Sequence, residues 1–342
     1  MSAHARILVI GPSWVGDMVM AQALFKHLRN RIPDALIDVV APGWSLPLLA
    51  RMPEVHAGIE ITVGHGELGL CKRRRLGQRL RERAYDRAIV LPRSLKSALV
   101  PAFARIPKRT GFRGEYRYGL INDMRAFDPA RLDQTVKRFL ALGPMPLPET
   151  IPQPSLHVEH ERAAEIAERF GLQANLPRIM LAPGAEYGPA KRWPAAHFAD
   201  LARRMVSAGY EVVVLGSAKE AAIGAEISSA AQSGGVVNLC GQTELVDTVD
   251  LLGTARAAVC NDSGLLHVAA ATGVSLVALY GSSSPGFTPP LTDHVAVIYQ
   301  SLACSPCFQR ECPLGHLDCL RTIEPARVEK ELHALIGGRG AA

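Results

Sequence analysis

The residue types best suited to binding an anion lie in residues 261–267, which read Asn-Asp-Ser-Gly-Leu-Leu-His. The apolar run 257–260 precedes them and a run of small residues follows. This pattern predicts a buried parallel strand, a tight loop and then a helix. The backbone N–H groups of Ser263, Gly264 and Leu265 would stand at the N-terminus of that helix, where a phosphate binds readily. The sequence therefore predicts a phosphate site in this loop.

A second candidate for phosphate binding is the Gly- and Pro-rich stretch of residues 183–194. Lys191 lies near its end, just before a helix that the sequence predicts to begin near Pro194. From there an ammonium can reach a phosphate from the side while the loop amides hold it from below. A solvated surface lysine is the alternative interpretation. Together, the two loops favour a pocket for a nucleoside diphosphate.

Three further polar side chains beside these loops could contact a sugar nucleotide. Asp262 could accept hydrogen bonds from sugar hydroxyls, and His267 could contact a phosphate. Glu220, in the turn 216–220, could accept hydrogen bonds from a ribose. Each also has a purely structural interpretation: a helix cap for Asp262, a buried histidine with satisfied hydrogen bonds, and an ordinary turn around Glu220.

In the first half of the chain, the candidate for proton transfer is Asp17. It follows the loop 11–16 and stands in the first turn of a predicted helix, at the carboxyl end of a strand. A carboxylate there could act as general base toward a substrate hydroxyl, worth about 10²–10⁴-fold in rate. The alternative is an aspartate that only complements the helix dipole, worth ~0.3–1 kcal/mol. The loop lacks dinucleotide-type Gly-x-Gly-x-x-Gly spacing, and Trp14 would crowd a pyrophosphate.

Charge is distributed unevenly along the chain. Residues 1–150 hold 24 Lys and Arg against 13 Asp and Glu, a net charge of +11, whereas the remainder has a net charge of −5. A basic half indicates an anionic partner: a nucleic acid, an anionic membrane, or a phosphorylated or carboxylated substrate. Cations are densest in residues 72–83, much of which can be a solvated helix face, and Arg113 and Arg117 follow among aromatic residues. No helix-turn-helix or zinc-finger spacing accompanies them, which disfavours nucleic acid.

Four of the seven cysteines fall close together near the C-terminus, at Cys304, Cys307, Cys312 and Cys319. With a histidine nearby, this spacing could bind zinc, although the second half lacks the usual close pair of ligands. The alternative is a set of reduced cysteines that order a loop. We expect a reducing, cytoplasmic compartment, because the first apolar run is too short for a signal peptide and no stretch approaches the ~20 apolar residues of a membrane span.

The elements that must position these residues are alternating strands and helices, which predict α/β units with parallel sheets. Strands are predicted at residues 6–10, 37–40 and 87–91 in the first half, and at 179–182, 211–215, 236–239, 257–260 and 275–279 in the second. Helices are predicted at residues 17–29, about 76–83, 195–208, about 220–231, 245–254, 265–271 and 325–336.

A proline-rich segment, residues 144–154, separates the two series and is typical of a linker. The sequence therefore predicts two Rossmann-like, doubly wound domains, residues 1–150 and 151–342, facing each other across a cleft. Ligands of such domains bind at the carboxyl ends of the strands. The C-terminal helix could pack back on the first domain.

Three long segments in this order resemble the ADP-heptose:lipopolysaccharide heptosyltransferases, glycosyltransferase family 9. They are residues 11–20, 183–194 and 261–267, and relatives also share a stretch similar to residues 304–316. The resemblance extends from about residue 6 to residue 330. It implies a GT-B fold, with the acceptor on the first domain and ADP-heptose on the second. It also implies an inverting transfer of L-glycero-D-manno-heptose to the first heptose of the lipopolysaccharide inner core.

The resemblance also implies roles for single residues. The base of the family falls on Asp17 and its phosphate-binding lysine on Lys191, while Asp262, Gly264 and His267 match the donor-site turn. The remaining candidates are Ser263, Leu265 and Glu220 for the donor and Trp14, Arg113 and Arg117 for the acceptor. No metal or other cofactor is expected, because Lys191 and the loop amides can replace a divalent cation beside a diphosphate.

The implied partners are ADP-heptose and a heptosyl-Kdo-lipid A acceptor, met at the cytoplasmic face of the inner membrane, with no nucleic acid. Two other functions stay open from the residues alone. One is another GT-B enzyme that acts on a sugar nucleotide, such as a different heptosyltransferase or an epimerase. The other is a zinc-containing protein that binds nucleic acid through its basic half.

Overall fold

The computed structural model describes residues 5–64 and 66–338. The chain divides into two compact units, with the division between Pro154 and Ser155, at the end of the proline-rich segment. Each unit is built around its own six-stranded, wholly parallel sheet. In the described part of the chain, no helix is both long enough and apolar enough to cross a bilayer.

The sheet of the first unit has the strand order β3-β2-β1-β4-β5-β6. Its strands are β1 (Arg6–Ile10), β2 (Leu36–Ala41), β3 (Val55–Glu60), β4 (Arg87–Val90), β5 (Lys108–Phe112) and β6 (Asp123–Arg125). The central strands are runs of Ile, Leu and Val because both of their faces are covered. The order reverses between β1 and β4, which is where ligands of doubly wound sheets bind.

The α-helices described in this unit are α1 (Val15–Arg31), α2 (Leu46–Leu49), α3 (Leu70–Leu80), α4 (Leu99–Phe103) and α5 (Thr135–Leu140). The longest, α1, is buried along most of its length, because small and apolar residues such as Ala21, Leu24 and Leu28 let it pack closely. It begins at Val15, two residues before the predicted start, so Asp17 lies in its first turn as expected.

The sheet of the second unit repeats the same topology, in the order β12-β11-β10-β7-β8-β9. Its strands are β7 (Arg178–Ala182), β8 (Glu211–Val214), β9 (Val236–Asn238), β10 (Ala257–Asn261), β11 (Ser275–Tyr280) and β12 (Val295–Tyr299). Its helices are α6 (His160–Arg169), α7 (Ala195–Ser207), α8 (Ala221–Ala231), α9 (Leu245–Thr254), α10 (Gly264–Thr272), α11 (Asp318–Arg321) and α12 (Pro325–Gly338). The order reverses between β10 and β7, so the loops after these strands frame the ligand side of the sheet.

The C-terminal helix α12 belongs to the core of the second unit. Its buried residues Val328, Leu332 and Ile336 lie in one apolar cluster with residues of the second sheet. Trp193 is fully buried in the same cluster and donates from its indole Nε1 to the Ile323 carbonyl, 2.8 Å away. The sequence left open whether this helix returns to the first domain, and its apolar face instead packs within the second unit.

Candidate active site

Three loops converge at the carboxyl edge of the second sheet. They follow the neighbouring strands β7, β10 and β11 and comprise residues 183–194, 262–263 and 281–294. Both loops that the sequence predicts to bind phosphate are among them. The structure therefore brings these two segments to the point where the strand order reverses.

A buried amide at the end of β10 holds two of these loops together. The Asn261 side chain is inaccessible to solvent, and its Nδ2 donates to the Pro183 carbonyl at 2.7 Å. Its Oδ1 accepts from the Trp193 backbone N–H at 3.1 Å. Asn261 thus fixes both ends of the loop 183–194. This role is not among those predicted from the sequence, although a polar amide at the end of an apolar strand can indicate it, since an unpaired buried amide is costly.

Lys191 and Asp262 form an ion pair in this site. The Lys191 ammonium lies 2.5 Å from Asp262 Oδ2, and the same oxygen accepts a hydrogen bond from the Ser283 hydroxyl. Asp262 is buried and Lys191 largely so, and the ammonium also lies 5.1 Å from the centre of the Tyr187 ring. The sequence singled out both charged residues, but their pairing and the contribution of Ser283 come only from the fold.

The N-terminus of α10 follows directly after this ion pair. Ser263 is the N-cap residue, in extended conformation, and no side chain within the described residues caps the helix there. The first N–H groups of a helix have no partner within the helix, so those of Gly264 and Leu265 are suited to an anion. The Lys191 ammonium is therefore paired with the residue that directly precedes the N-cap of α10, and phosphate binding at this point stays a prediction.

His267 lies in the first turns of α10 and is almost fully buried. Burial is the main cause that lowers the pKa of its imidazole; with the opposing effect of Asp262 and the smaller lowering effect of Lys191, the pKa is about 4. At neutral pH the imidazole is consequently uncharged. It can donate or accept a hydrogen bond at the site but supplies no positive charge to a phosphate.

The burial of neutral His267 should make stability depend on pH between about 6.5 and 4. The unfolded chain binds the proton near the ordinary pKa of 6.5 and the folded chain only near 4, so stability is lost as the pH falls through this window. We expect the free energy of unfolding to fall by ~3 kcal/mol more in the native chain than in His267→Asn. Denaturant unfolding at several pH values measures this difference, and parallel pH profiles for the two chains would refute it.

Glu220 has a structural role in this chain. Its Oε2 accepts hydrogen bonds from the Ser217 backbone N–H at 2.7 Å and from the Ser217 hydroxyl at 2.5 Å. The first of these bonds is the Glu220 half of a capping box, in which the Ser217 side chain accepts from a backbone N–H in turn. Its carboxylate also packs against Gly184, where an added Cβ would lie 2.8 Å from Cδ of Glu220. These contacts show that Glu220 stabilises the turn 216–220. Binding of a ribose by Glu220 stays a prediction.

In the first unit, Asp17 and Trp14 lie at the carboxyl end of β1, where the order of the first sheet reverses. Trp14 is the N-cap residue of α1, and its carbonyl accepts a hydrogen bond from the Met18 N–H at 2.9 Å. The residue is 48% exposed. Asp17 is half-buried in the first turn of the same helix. An exposed aromatic ring beside a carboxylate suits the binding of a sugar acceptor.

The two arginines that were predicted to bind the acceptor differ in their exposure to solvent. Arg113 is exposed, with its guanidinium 6.0 Å from the centre of the Tyr118 ring. Arg117 is buried, and its guanidinium donates to the carbonyls of Phe112 and Pro92 at 2.6 and 2.7 Å. The prediction for Arg117 therefore needs correction, because its donors tie the loops after β4 and β5 together instead of facing solvent.

The clustered cysteines lie around one small cavity, which is lined by Cys304, Cys307, Cys312, Cys319 and His316. All four are free thiols. Among residues 5–64 and 66–338, no group of three His, Cys, Asp or Glu side chains is placed to hold a metal ion. Hydrogen bonds from backbone N–H groups, that of Leu317 foremost, lower the pKa of the Cys312 thiol, whereas burial raises the pKa of Cys319 to about 11. Whether these cysteines bind zinc or are reduced thiols that order a loop stays open, as in the prediction from the sequence.

The chain is similar to known glycosyltransferases over nearly its full length. The family Glycosyltransferase family 9 (heptosyltransferase) matches residues 73–318. Lipopolysaccharide heptosyltransferase 2 of Salmonella typhimurium is 48% identical over 346 residues, covering 98% of this chain and 99% of that protein. The solved structure of E. coli ADP-heptose LPS heptosyltransferase II superimposes with a TM-score of 0.89 and 46% identity, covering 98% and 99% of the two chains.

A more distant structure shares the fold. An E. coli heptosyltransferase solved with ADP-2-deoxy-2-fluoro heptose has a TM-score of 0.70 and 18% identity, covering 96% of this chain and 99% of that one. The two parallel six-stranded sheets described above therefore match the GT-B architecture that the family resemblance implies.

Proposed function

Because this chain belongs to glycosyltransferase family 9, the heptosyltransferases, we infer that it transfers heptose from ADP-heptose onto the first heptose of the lipopolysaccharide inner core. One observation in the structure supports this best: the ion pair of Lys191 and Asp262 stands directly before the N-terminus of α10, where the strand order reverses. A cation and backbone N–H groups that converge on one point suit a diphosphate.

The donor diphosphate is proposed to bind between Lys191 and the first turn of α10. The N–H groups of Gly264 and Leu265 would donate to phosphate oxygens, and the ammonium would supply the charge. As the bond to the sugar breaks, negative charge on the departing ADP increases, so these groups stabilise the transition state more than the ground state. Asp262, itself held by Ser283, keeps the ammonium in place before the donor arrives.

The transfer itself is a single displacement in this proposal. The Asp17 carboxylate takes the proton of the acceptor hydroxyl, whose oxygen attacks the anomeric carbon of the heptose. A new C–O bond forms as the bond to ADP breaks, and ADP leaves with the electron pair. Attack opposite the leaving group inverts the anomeric centre. Positive charge that builds on the sugar ring is balanced by the charge on ADP, which Lys191 and the α10 amides stabilise.

The reaction, on this proposal, needs no metal or other cofactor. We expect the purified chain, dialysed against EDTA, to move heptose from ADP-heptose to a heptosyl-Kdo-lipid A acceptor, because Lys191 and the amides do the work of a divalent cation. Mass spectrometry of the acceptor measures the transfer, and Kdo-lipid A without heptose is the matched acceptor control. Transfer from a UDP-sugar but not from ADP-heptose would overturn the assignment, and a requirement for added Mg²⁺ would overturn the metal-free mechanism.

The acceptor is carried by a membrane lipid, and we propose that a basic surface of the first unit contacts the cytoplasmic face of the inner membrane. On α3, Arg74, Arg75 and Arg79 are exposed, and none of the three forms an ion pair with a described residue. Leu68 and Leu70, exposed at the start of this helix, add apolar contact area. Each basic residue near an anionic surface contributes about 1 kcal/mol of attraction.

Binding to vesicles tests this contact. We expect the chain to sediment with vesicles that contain phosphatidylglycerol, to lose most of this binding at high salt, and to lose it in the triple variant Arg74→Gln, Arg75→Gln, Arg79→Gln. A charge-matched control replaces three exposed cations of the second unit by Gln: Arg203, Arg321 and Lys330. Equal loss of binding in both triple variants would show a general charge effect and contradict a specific surface on α3.

A further inference from the structure

The proposed transfer does not use residues 304–319, which we call the cysteine-rich segment. The backbone of this segment is nevertheless bonded to two of the three loops at the donor site. The Ala190 N–H donates to the Arg310 carbonyl at 3.0 Å, and the Phe308 N–H donates to the Ser282 carbonyl at 2.7 Å. The Ser305 hydroxyl donates to the Gly281 carbonyl at 2.5 Å. The segment thus lies along the loops that carry Lys191 and Ser283.

Two glycines show how closely the segment approaches these loops. A Cβ added at Gly188 would lie 2.4 Å from the Arg310 carbonyl oxygen, which no real side chain tolerates. A Cβ at Gly281 would lie 2.6 Å from the Leu320 side chain, just beyond the segment. Contacts this close leave no room for these loops to approach the segment further, and the hydrogen bond between Ala190 and Arg310 opposes movement of the loop 183–194 away from it.

Tyr187 connects the segment with Lys191. Its hydroxyl donates to the Phe308 carbonyl at 2.6 Å, and its own carbonyl accepts from Nε of Arg310 at 2.7 Å. The Lys191 ammonium lies 5.1 Å from the centre of its ring, and the Arg310 guanidinium lies 5.6 Å from the same centre. Both distances are within the range in which a cation is attracted to an aromatic face.

We propose that Tyr187 is a positioning residue for Lys191: the cysteine-rich segment anchors the aromatic ring, and the ring restrains the ammonium beside Asp262. A lysine side chain has four flexible bonds, so an ammonium that is held by Asp262 alone can still move around the carboxylate and away from the donor phosphate. The ring and the Asp262 carboxylate together define one position. This inference rests on the phosphate-binding role proposed for Lys191.

The first test removes the ring. We expect Tyr187→Leu to lower kcat by about 10-fold, because the restraint on the ammonium is lost. Tyr187→Phe keeps the ring and loses only the bond to Phe308, so it should stay within about 3-fold of the native rate. The matched control is Glu186→Gln, which changes the neighbouring exposed residue and breaks only its surface pair with Lys219. Its rate should not change.

A double variant separates positioning from a merely structural role. If Tyr187 acts through Lys191, Tyr187→Leu should change kcat by less than about 2-fold in a Lys191→Met background, since the group it positions is gone. An equal loss in both backgrounds would overturn the proposal, as would an unchanged rate in Tyr187→Leu alone. A loss in Tyr187→Phe as large as that in Tyr187→Leu would also overturn it, because the hydroxyl and not the ring would then matter.

Binding of ADP distinguishes failure of this inference from failure of the proposed function. Calorimetry needs no transfer, so it remains informative for a chain that moves no heptose. We expect Tyr187→Leu to weaken ADP binding about 5- to 10-fold and Glu186→Gln to leave it unchanged. Equal ADP affinity in the native chain and Tyr187→Leu would refute positioning at the phosphate site, whether or not heptose transfer occurs.

Discussion

Replacement of Asp17 by Asn should lower kcat for heptose transfer by about two to four orders of magnitude while the affinity for ADP-heptose is kept. The amide has the shape of the carboxylate, so the first turn of α1 and the loop after β1 are preserved. It cannot take the proton of the acceptor hydroxyl, however, which leaves a poor nucleophile. Steady-state kinetics with both substrates, together with calorimetric binding of the donor, measure the two quantities.

The alternative role of Asp17 predicts a different effect of the same substitution. If the carboxylate only complements the dipole of α1, Asp17→Asn costs ~0.3–1 kcal/mol of stability and leaves kcat nearly unchanged. A matched control is Asp133→Asn, which removes an exposed carboxylate of the same unit and its i,i+4 pair with Lys137. That control should be fully active. Transfer at the native rate by Asp17→Asn would reject Asp17 as the base.

Replacement of Lys191 by Met should have the second large effect, a loss of about 10²–10³ in kcat. The methylene stem is roughly preserved, but the charge that stabilises departing ADP is lost. The same change leaves the buried Asp262 carboxylate with Ser283 as its remaining partner among the contacts described, so we also expect lower stability. Kinetics and thermal unfolding measured on the same preparation separate these two effects.

Two further variants serve as controls for Lys191→Met. Lys191→Arg retains a positive charge and the pair with Asp262, so it should fold normally, yet its planar guanidinium should not restore the native rate. Lys219→Met removes an exposed lysine whose partner, Glu186, is adjacent to Tyr187. It should be as active as the native chain. A Lys191→Met variant that folds and transfers heptose at the native rate would exclude Lys191 from stabilising the leaving group.

Local pattern was sufficient to predict the framework of the site. Apolar runs that end in small or polar residues mark β7 and β10, and the loops after them carry Lys191 and Asp262. The strands that the pattern left out, β3, β5, β6 and β12, lie toward the edges of the sheets. Residues of β3 alternate between half-buried and exposed, and β6 has three residues, so neither shows the apolar run of a strand covered on both faces.

The boundaries of α3 also could not be predicted where the sequence lacks an apolar pattern. The pattern predicts a helix at about residues 76–83, where Leu76 and Leu80 mark one apolar face, whereas the helix begins at Leu70 and ends at Leu80. Its first turns contain Lys72, Arg73 and other cations, which carry no apolar periodicity. Arg73 is nonetheless buried, because its guanidinium donates to the Leu68 carbonyl at 2.7 Å. Composition alone does not distinguish a buried arginine with satisfied hydrogen bonds from an arginine that is exposed to solvent.

The sequence by itself determined the two parallel α/β units, the two loops that we propose to bind the donor, and the family, because each depends on residues that are close in the chain. Only the tertiary structure decided which partners the polar side chains have. It paired Lys191 with Asp262, used Arg117 and Glu220 to hold loops, and placed Tyr187 between Lys191 and the cysteine-rich segment. The physical reason is that a charged side chain takes its role from its partners. Here most partners are far along the chain, so spacing alone does not reveal them.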